Sequence, residues 1–367
     1  MKRSFVLLLL FLSAALVAVT SAIGQDKAPV RVGVVGLVHD HVHGILNRLN
    51  KPGDVVIVGI AESDKEAVKR LSERYKIAPE LLHDSLEVML EEIELDAVMA
   101  FTNTFDHKHV VEVCAPRGVH VMMEKPLAVS MEHANIMTAV AKQHNVRLMV
   151  NYETTWYRSN HEAYAIVHDK KLIGDVRKVV VHDGHEGPRE IGCSETFLSW
   201  LTDPVLNGGG ALTDFGCYGA NLMTWLMKNE RPKTVTAVTQ QIKPDVYPKV
   251  DDEATIILTY PNAQAVIQAS WNWPFNRKDM EVYGKTGYAH TVEDYGVRLK
   301  KDSAPASLVR PPALEGPHHD FVAYLAAVVR GEMEPQGLSS LENNLIVTEI
   351  LDAARESAKT GQAVLLK

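Results

Sequence analysis

An apolar run from Val119 to Met123, opening Gly118-Val119-His120-Val121, ends in Glu124-Lys125-Pro126. The pattern describes a buried strand whose carboxyl end carries a charged pair into a turn. Ligands of open α/β sheets sit beyond the carboxyl ends of strands, so the Lys125 amine stands where chemistry would occur. A lysine there can fix a substrate hydroxyl, and burial beside cationic or apolar groups would lower its pKa towards a useful range. A salt-bridged strand end fits the spacing equally well.

A second constellation follows three glycines, Gly208 to Gly210. They free the backbone to approach another element. A helix then carries Asp214, Tyr218 and Asn221, and offsets of four and seven put them on one face. A carboxylate, a phenol and an amide in line can hold a hydroxyl and move its proton, although a capped helix with a polar stripe has the same spacing. Tyr218 has an intrinsic pKa of about 10 and needs a neighbouring cation to act as a base near neutrality. Lys125 is the candidate. His182 and His185 flank a turn after a strand and are candidates for a pocket rim that hydrogen-bonds a polyol. Trp156, Trp271 and Trp273 are candidates for stacking on a sugar face, although aromatics in strands more often fill cores.

These residues need a scaffold. From Val30 to Val150, strands at Val32–Val35, Val55–Ile60, Ala97–Phe101, Val119–Met123 and Arg147–Val150 alternate with helical spacing at Lys65–Tyr75, Leu86–Ile93, His107–Arg117 and Met131–His144. Such alternation implies right-handed βαβ units and a doubly wound parallel sheet, a Rossmann-type domain over residues 29–150. The first strand runs into Gly36-Leu37-Val38-His39-Asp40-His41. A dinucleotide fold needs a tight turn here, bare backbone beside the pyrophosphate and a helix N-terminus facing it. Gly36 fits the first glycine, whereas Val38 and His41 occupy the places of the second and third. His39, His41 and His43 offer imidazole donors to phosphate instead; a metal site is the other sharp reading, and ordinary helix-start polarity the bland one. No metal is expected. Glu62 ends the second strand, where an acid accepts hydrogen bonds from ribose hydroxyls and repels a 2′-phosphate, so NAD is expected over NADP.

Beyond Val150 the period changes. A helix pattern covers His161 to Lys171, and Asp175–His182, Lys233–Gln241, Ala254–Tyr260, Ala263–Trp271 and Asp279–Tyr283 alternate as strands. Short turns between them imply a largely antiparallel sheet in an α+β domain over residues 151–367, closed by amphipathic helices at His319–Arg330 and Ser340–Ala358.

Glu124-Lys125-Pro126 after a Gly-x-His-Val strand resembles the signature of the Gfo/Idh/MocA oxidoreductases, of the glucose–fructose oxidoreductase type. The resemblance extends from Val30 to Leu366. It implies that Lys125 lies in the catalytic site, that the Lys125–Pro126 bond is cis, and that the second sheet faces the dinucleotide cleft. Asp214-Phe215-Gly216-Cys217-Tyr218 matches the Asp-x-Gly-x-Tyr version of a family motif whose last residue transfers a proton. Thr102-Asn103-Thr104-Phe105-Asp106-His107 resembles a Thr-Pro-Asn-x-x-His segment lining the nicotinamide side, with Asn103 and Thr104 as departures. The cofactor contacts so implied are Gly36, Leu37, Val38, His39, Glu62, Thr102, Thr104, His107, Glu124 and Lys125. Those to substrate are Lys125, Trp156, His182, His185, Asp214 and Tyr218. A homo-oligomer is expected.

The chain of 367 residues, 46% hydrophobic and 23% charged, is long enough for two cores. A net charge of −8 argues against a nucleic-acid surface. Three cysteines, Cys114, Cys193 and Cys217, form no disulfide framework and no metal spacing. Residues 1–24 read as a secretory signal peptide: Met1-Lys2-Arg3, an apolar run from Phe5 to Val19 too short for a membrane span, then small residues. A secreted or periplasmic enzyme meets little free nicotinamide cofactor, so it is expected to retain one molecule and regenerate it in each cycle. Three activities remain open: an oxidoreductase acting on a secondary hydroxyl of a sugar or polyol, a glycoside hydrolase working by transient oxidation, and a non-catalytic sugar-binding relative with an altered phosphate loop.

Overall fold

A computed structural model describes residues 27–366. The expected signal peptide lies outside the described residues. Among those residues no helix is long and apolar enough to cross a membrane.

Strands β1 (Val30–Val35), β2 (Val55–Ala61), β3 (Leu82–His83), β4 (Ala97–Ala100), β5 (His120–Glu124) and β6 (Leu148–Asn151) form a parallel sheet in the order β3-β2-β1-β4-β5-β6. β4 is buried throughout and β5 nearly so, which is why both are continuous apolar runs rather than alternating ones. Helices start where side chains satisfy their first N–H groups: Asp64 accepts from Glu66 and Ala67, Ser85 from Val88 and Ser130 from His133. Strand order reverses between β1 and β4, opening a crevice beyond their carboxyl ends.

The second sheet comprises β7 (Val176–Gly184), β8 (Thr234–Gln240), β9 (Glu253–Thr259), β10 (Gln264–Ser270), β11 (Arg277–Gly284), β12 (Gly287–Val292), β13 (Gly296–Lys301), β14 (Ser307–Val309) and β15 (Val364–Leu365). Its order is β14-β13-β12-β11-β7-β10-β9-β8-β15, and only β7 and β10 pair in parallel. The first five of these strands match the sequence pattern. The edge strand β14 is mostly exposed, β13 beside it is half exposed, and β15 is two residues long, so none shows a buried period.

The two faces of this sheet differ. Val179 and Val181 of β7, Ala265, Ile267 and Ala269 of β10, and Met280 and Val282 of β11 lie in register and are wholly buried. They face the helix Gly216–Leu226, which approaches at Gly219: a Cβ there would stand 2.3 Å from Ile267 Cγ2. Lys178, Val180 and His182 alternate onto the opposite face.

Sequence order assigns residues 321–329 to the second domain, yet the helix Phe321–Val329 joins the core of the first sheet, with Val322 and Leu325 in one cluster with Val30, Val32 and Ile60. The helix Leu341–Thr360 packs on Gly216–Leu226. Asn221 is wholly buried there and donates to Leu338 O at 2.8 Å.

Gly210 is the tightest point of the glycine run, because a Cβ would stand 1.8 Å from the Asp251 carbonyl oxygen. Gly210→Ala is expected to destabilise the protein by roughly 2 kcal/mol or more, the scale of overpacking against fixed backbone. Urea denaturation checks it, and an unchanged midpoint contradicts the packing.

Candidate active site

Lys125 follows β5 directly and is joined to Pro126 by a cis bond. Its Nζ lies 2.5 Å from Asp214 Oδ1 and 3.4 Å from Asp214 O. Asp214 ends the short helix Ala211–Asp214, whose entry is fixed by Asp251: its carboxylate accepts from Gly210 N at 3.0 Å and Leu212 N at 2.7 Å. The second Asp214 oxygen accepts from Trp271 Nε1 at 2.9 Å. Trp271, wholly buried, thereby orients the carboxylate. The helix expected to carry Asp214, Tyr218 and Asn221 is interrupted at Phe215 and restarts at Gly216. Asp214 and Tyr218 reach the cleft, whereas Asn221 turns to the C-terminal helix.

Tyr218 lies under two ammonium groups. Lys125 Nζ is 5.3 Å and Lys278 Nζ 5.0 Å from its ring centroid, and Lys278 is ion-paired with Glu153. No hydrogen bond among the described residues engages the Tyr218 hydroxyl. Burial pushes that phenol well above its usual range, and Glu153, Cys217, Asp214 and Glu124 push it the same way. The expected lowering by Lys125 is therefore not met, because Lys125 is committed to Asp214. Burial would lower the lysine, but Asp214 outweighs it and holds the amine above its ordinary value. Burial likewise would raise Asp214, and Lys125 overrides it. Both members of the pair stay charged.

His185 sits beside this group. Its ring meets Phe215 edge-on at 4.8 Å, Nδ1 accepts from Gly187 N at 2.8 Å, and burial lowers its pKa. His182 does not join it. Period-two alternation turns His182 to the opposite face of β7, where Nδ1 pairs with Asp279 at 3.0 Å and His290 lies 3.4 Å from the same oxygen. Trp156 donates to Asn151 Oδ1 at 3.0 Å and lines a cavity of about 290 Å³ with His41, Glu124 and Glu153. Lys278, Glu153 and Asp183 were not anticipated. Extending the alternation of Val179 and Val181 by one step finds Asp183, and that of Met280 and Val282 finds Lys278.

On the dinucleotide side, Gly36 takes a left-handed conformation (φ +85°), and a Cβ would stand 2.8 Å from the Phe101 carbonyl. A cavity of about 380 Å³ opens there, bounded by Gly36, Val38, Glu62 and Thr102. Glu62 accepts from Leu37 N at 2.6 Å and Asp64 N at 2.8 Å. The Val38 carbonyl accepts from Trp200 Nε1 at 3.1 Å. Thr104 Oγ1 donates to Asn207 Oδ1 at 3.2 Å, tying this side to the glycine run. Two buried histidines keep an unpartnered nitrogen. His107 Nδ1 donates to Leu127 O at 3.2 Å, leaving Nε2 as an acceptor, and burial lowers its pKa to about 4. His39 Nδ1 accepts from His41 N at 3.1 Å, leaving Nε2–H as a donor; burial, then His41 and Lys125, keep it neutral. A tight turn, an open cavity at the switch point and unsatisfied nitrogens beside it fit a dinucleotide. Glu124 Oε2 takes His41 Nδ1 at 2.8 Å and Oε1 takes Asn151 Nδ2 at 2.8 Å, and these partners with Lys125 hold its carboxyl below the usual range against burial. His39, His41 and Glu124 offer ligand atoms close enough to one another to hold a metal ion.

Two family models match the chain. One describes an oxidoreductase family with an NAD-binding Rossmann fold and matches residues 30–152; the other describes the GFO/IDH/MocA C-terminal domain and matches residues 161–290. Trans-1,2-dihydrobenzene-1,2-diol dehydrogenase of Xenopus tropicalis is 28% identical over 59% of this chain, and the match spans 61% of that relative. Among solved structures, the aldose-aldose oxidoreductase from Caulobacter crescentus complexed with glycerol has a TM-score of 0.79 at 23% identity, covering 92% of this chain and 100% of that one. An inositol dehydrogenase homolog from Azotobacter vinelandii complexed with NAD+ has a TM-score of 0.79 at 18% identity, over 92% and 97%. At these identities the structures establish the fold.

Removing one partner of a buried ion pair leaves the other charge uncompensated. Asp214→Asn is expected to cost about 3 kcal/mol by urea denaturation, and adding Lys125→Met to it should recover part of that loss. An additive double variant would mean that the pair is not coupled.

Proposed function

The chain belongs to the Gfo/Idh/MocA family of NAD-binding oxidoreductases, and on that premise we propose that it oxidises a secondary hydroxyl of a sugar or related polyol, with Lys125 and Tyr218 handling the proton. One observation carries the reading: residues of two domains, Lys125 from the end of β5 and Asp214 beside Tyr218, meet at 2.5 Å beyond the carboxyl ends of the first sheet. Bound NAD would supply the hydride acceptor. Gly36, Glu62, Thr102 and the turn Leu37–His39 would hold its adenosine and phosphate portion, and Thr104, His107, Glu124 and Lys125 its nicotinamide portion.

Lys125 donates a hydrogen bond to the hydroxyl oxygen and stabilises negative charge as it develops there. Tyr218 exchanges the hydroxyl proton. Its raised pKa keeps it protonated, so it holds the proton needed in the reducing direction, and in the oxidising direction it must first lose that proton. The Tyr218 ring lies beneath Lys125 and Lys278, each already paired with a carboxylate. Asp214, held by Trp271, keeps Lys125 charged and aimed. His185 borders the substrate space.

Acidity supports NAD over NADP. Glu62, Asp64, Asp84, Glu87 and Asp106 all line the cavity beside β2 and would oppose a 2′-phosphate. The charged start and apolar run of residues 1–24 support location outside the cytoplasm, and with it a cofactor retained and regenerated in each cycle.

Lys125→Met and Tyr218→Phe are each expected to lower turnover by roughly two to four orders of magnitude, with the double variant far above the product of the two effects. Tyr218 is protonated at neutral pH, so only its ionised fraction accepts a proton. Oxidation should therefore rise about tenfold per pH unit through neutrality, and Tyr218→Phe should flatten the profile. Full turnover in both single variants places the site elsewhere.

Glu62→Ala should narrow the preference for NAD over NADP, read as the ratio of dissociation constants by calorimetry. Equal affinity for both in the unaltered protein overturns the assignment.

A further inference from the structure

Asp183 is wholly buried, and neither of its carboxyl oxygens finds a hydrogen-bond partner among the described residues. A buried acid normally has several; an orphan of this kind marks a group whose partner arrives from elsewhere. Its place in the fold is unambiguous. On β7 it continues the series Val179, Val181, which faces the helix Gly216–Leu226, and it lies in register between Ala269 of β10 and Lys278 of β11. Lys278 shares that face and stands over the rings of Tyr218 and Phe215, at 5.0 and 6.0 Å. His185, two residues on, meets Phe215 from the same side. Burial does not separate Asp183 from the cleft, because Lys125, Asp214 and Tyr218 are covered to a similar degree.

We propose that Asp183 is a substrate-contacting, specificity-determining residue, whose carboxyl takes up a hydroxyl adjacent to the one held by Lys125 and Tyr218, so that the site selects vicinal diols over single alcohols. The inference rests on the reading of Lys125 and Tyr218 as the hydroxyl-handling pair. Its electrostatics agree with the role. Burial drives the carboxyl well above its ordinary pKa, Lys278 opposes this, and Asp279 and Glu153 reinforce it. Burial thus favours the protonated acid, a form that offers one donor and one acceptor, the complement of a hydroxyl. It differs in this from Asp214, whose two oxygens are already bound by Lys125 and Trp271.

The test uses the full chain loaded with NAD, with trans-1,2-cyclohexanediol and cyclohexanol as probes, and Asp183→Val and Asp183→Asn as variants. Valine is a strand former close to aspartate in size and leaves no polar atom unsatisfied, so Asp183→Val should unfold at the same or a higher temperature. By calorimetry it should weaken diol binding about tenfold or more and leave cyclohexanol within about twofold, as expected for one lost hydrogen-bonding group. Asp183→Asn, which keeps a donor and an acceptor, should retain most of the diol affinity. The proposal is overturned if the unaltered protein binds the diol no better than the single alcohol. It is also overturned if Asp183→Val binds the diol normally, or if it loses both probes equally. NADH formation is followed in parallel. Diol binding that depends on Asp183 without any NADH would leave the contact standing and remove the oxidoreductase reading, so the two fail separately.

Discussion

The ion pair between Lys125 and Asp214 is the constraint on which the site depends. Two charges taken out of water cost several kcal/mol each, and their attraction balances this only with good geometry and satisfied remaining groups. Both conditions hold: the contact is 2.5 Å, the second Asp214 oxygen takes the Trp271 N–H, and the Lys125 amine also reaches the Asp214 carbonyl. Because one partner ends a strand of the first sheet and the other ends a helix against the second, the pair fixes the cleft between them. It also decides the electrostatics of Tyr218. A lysine already neutralised by a carboxylate cannot lower a phenol, and the carboxylates around Tyr218 raise it.

The dinucleotide turn shows how a departure from a glycine pattern is absorbed. Val38 stands where bare backbone is usual, and its neighbours are supplied by the second domain. Trp200 donates to the Val38 carbonyl, and Asp40 accepts from Ser194 N at 2.8 Å and Ser194 Oγ at 2.6 Å, at the start of the helix Glu195–Leu201. His39 packs among His41, Phe197 and Trp200, with ring centroids 4.5 to 5.3 Å apart. The turn is thus braced by the second domain through Ser194 and Trp200.

The second sheet divides its polar residues by parity. Odd positions of β7 and even positions of β11 bring Asp183 and Lys278 under the helix that carries Tyr218. Even positions of β7 and odd positions of β11 gather His182, Asp279 and Glu281 on the far side. There Asp279 is bound by Arg277, His182 and His290, and although burial would raise it, these partners hold its carboxyl well below the usual range. That cluster is internally satisfied. The cleft cluster contains an acid that is not.

Local pattern determined the first domain almost completely. Strands buried on both faces are continuous apolar runs, helices announce themselves by period and cap, and parallel order follows from right-handed crossovers, so β1, β2 and β4 to β6, Gly36, Glu62 and Lys125 were all legible from the sequence. In the second domain the sequence supplied the strands that have a buried period and the motif from Asp214 to Tyr218. The tertiary structure decided the rest. Whether Lys125 is lowered or raised depends on a residue 89 positions away, and no local pattern encodes that distance. Helical spacing put Asn221 beside Tyr218 on one helix, as found, but the packing of Leu341–Thr360 gives Asn221 its partners there, and the break at Phe215 separates both from Asp214. His182 looked like a site residue because its chemistry is conspicuous, and Asp183 did not because aspartate before glycine reads as a turn. Which of the two meets the cleft is set by the face that the helix Gly216–Leu226 covers, a contact between segments distant in sequence. Residue types and periods are written locally; partners, and the charges that partners fix, exist only once the chain has folded.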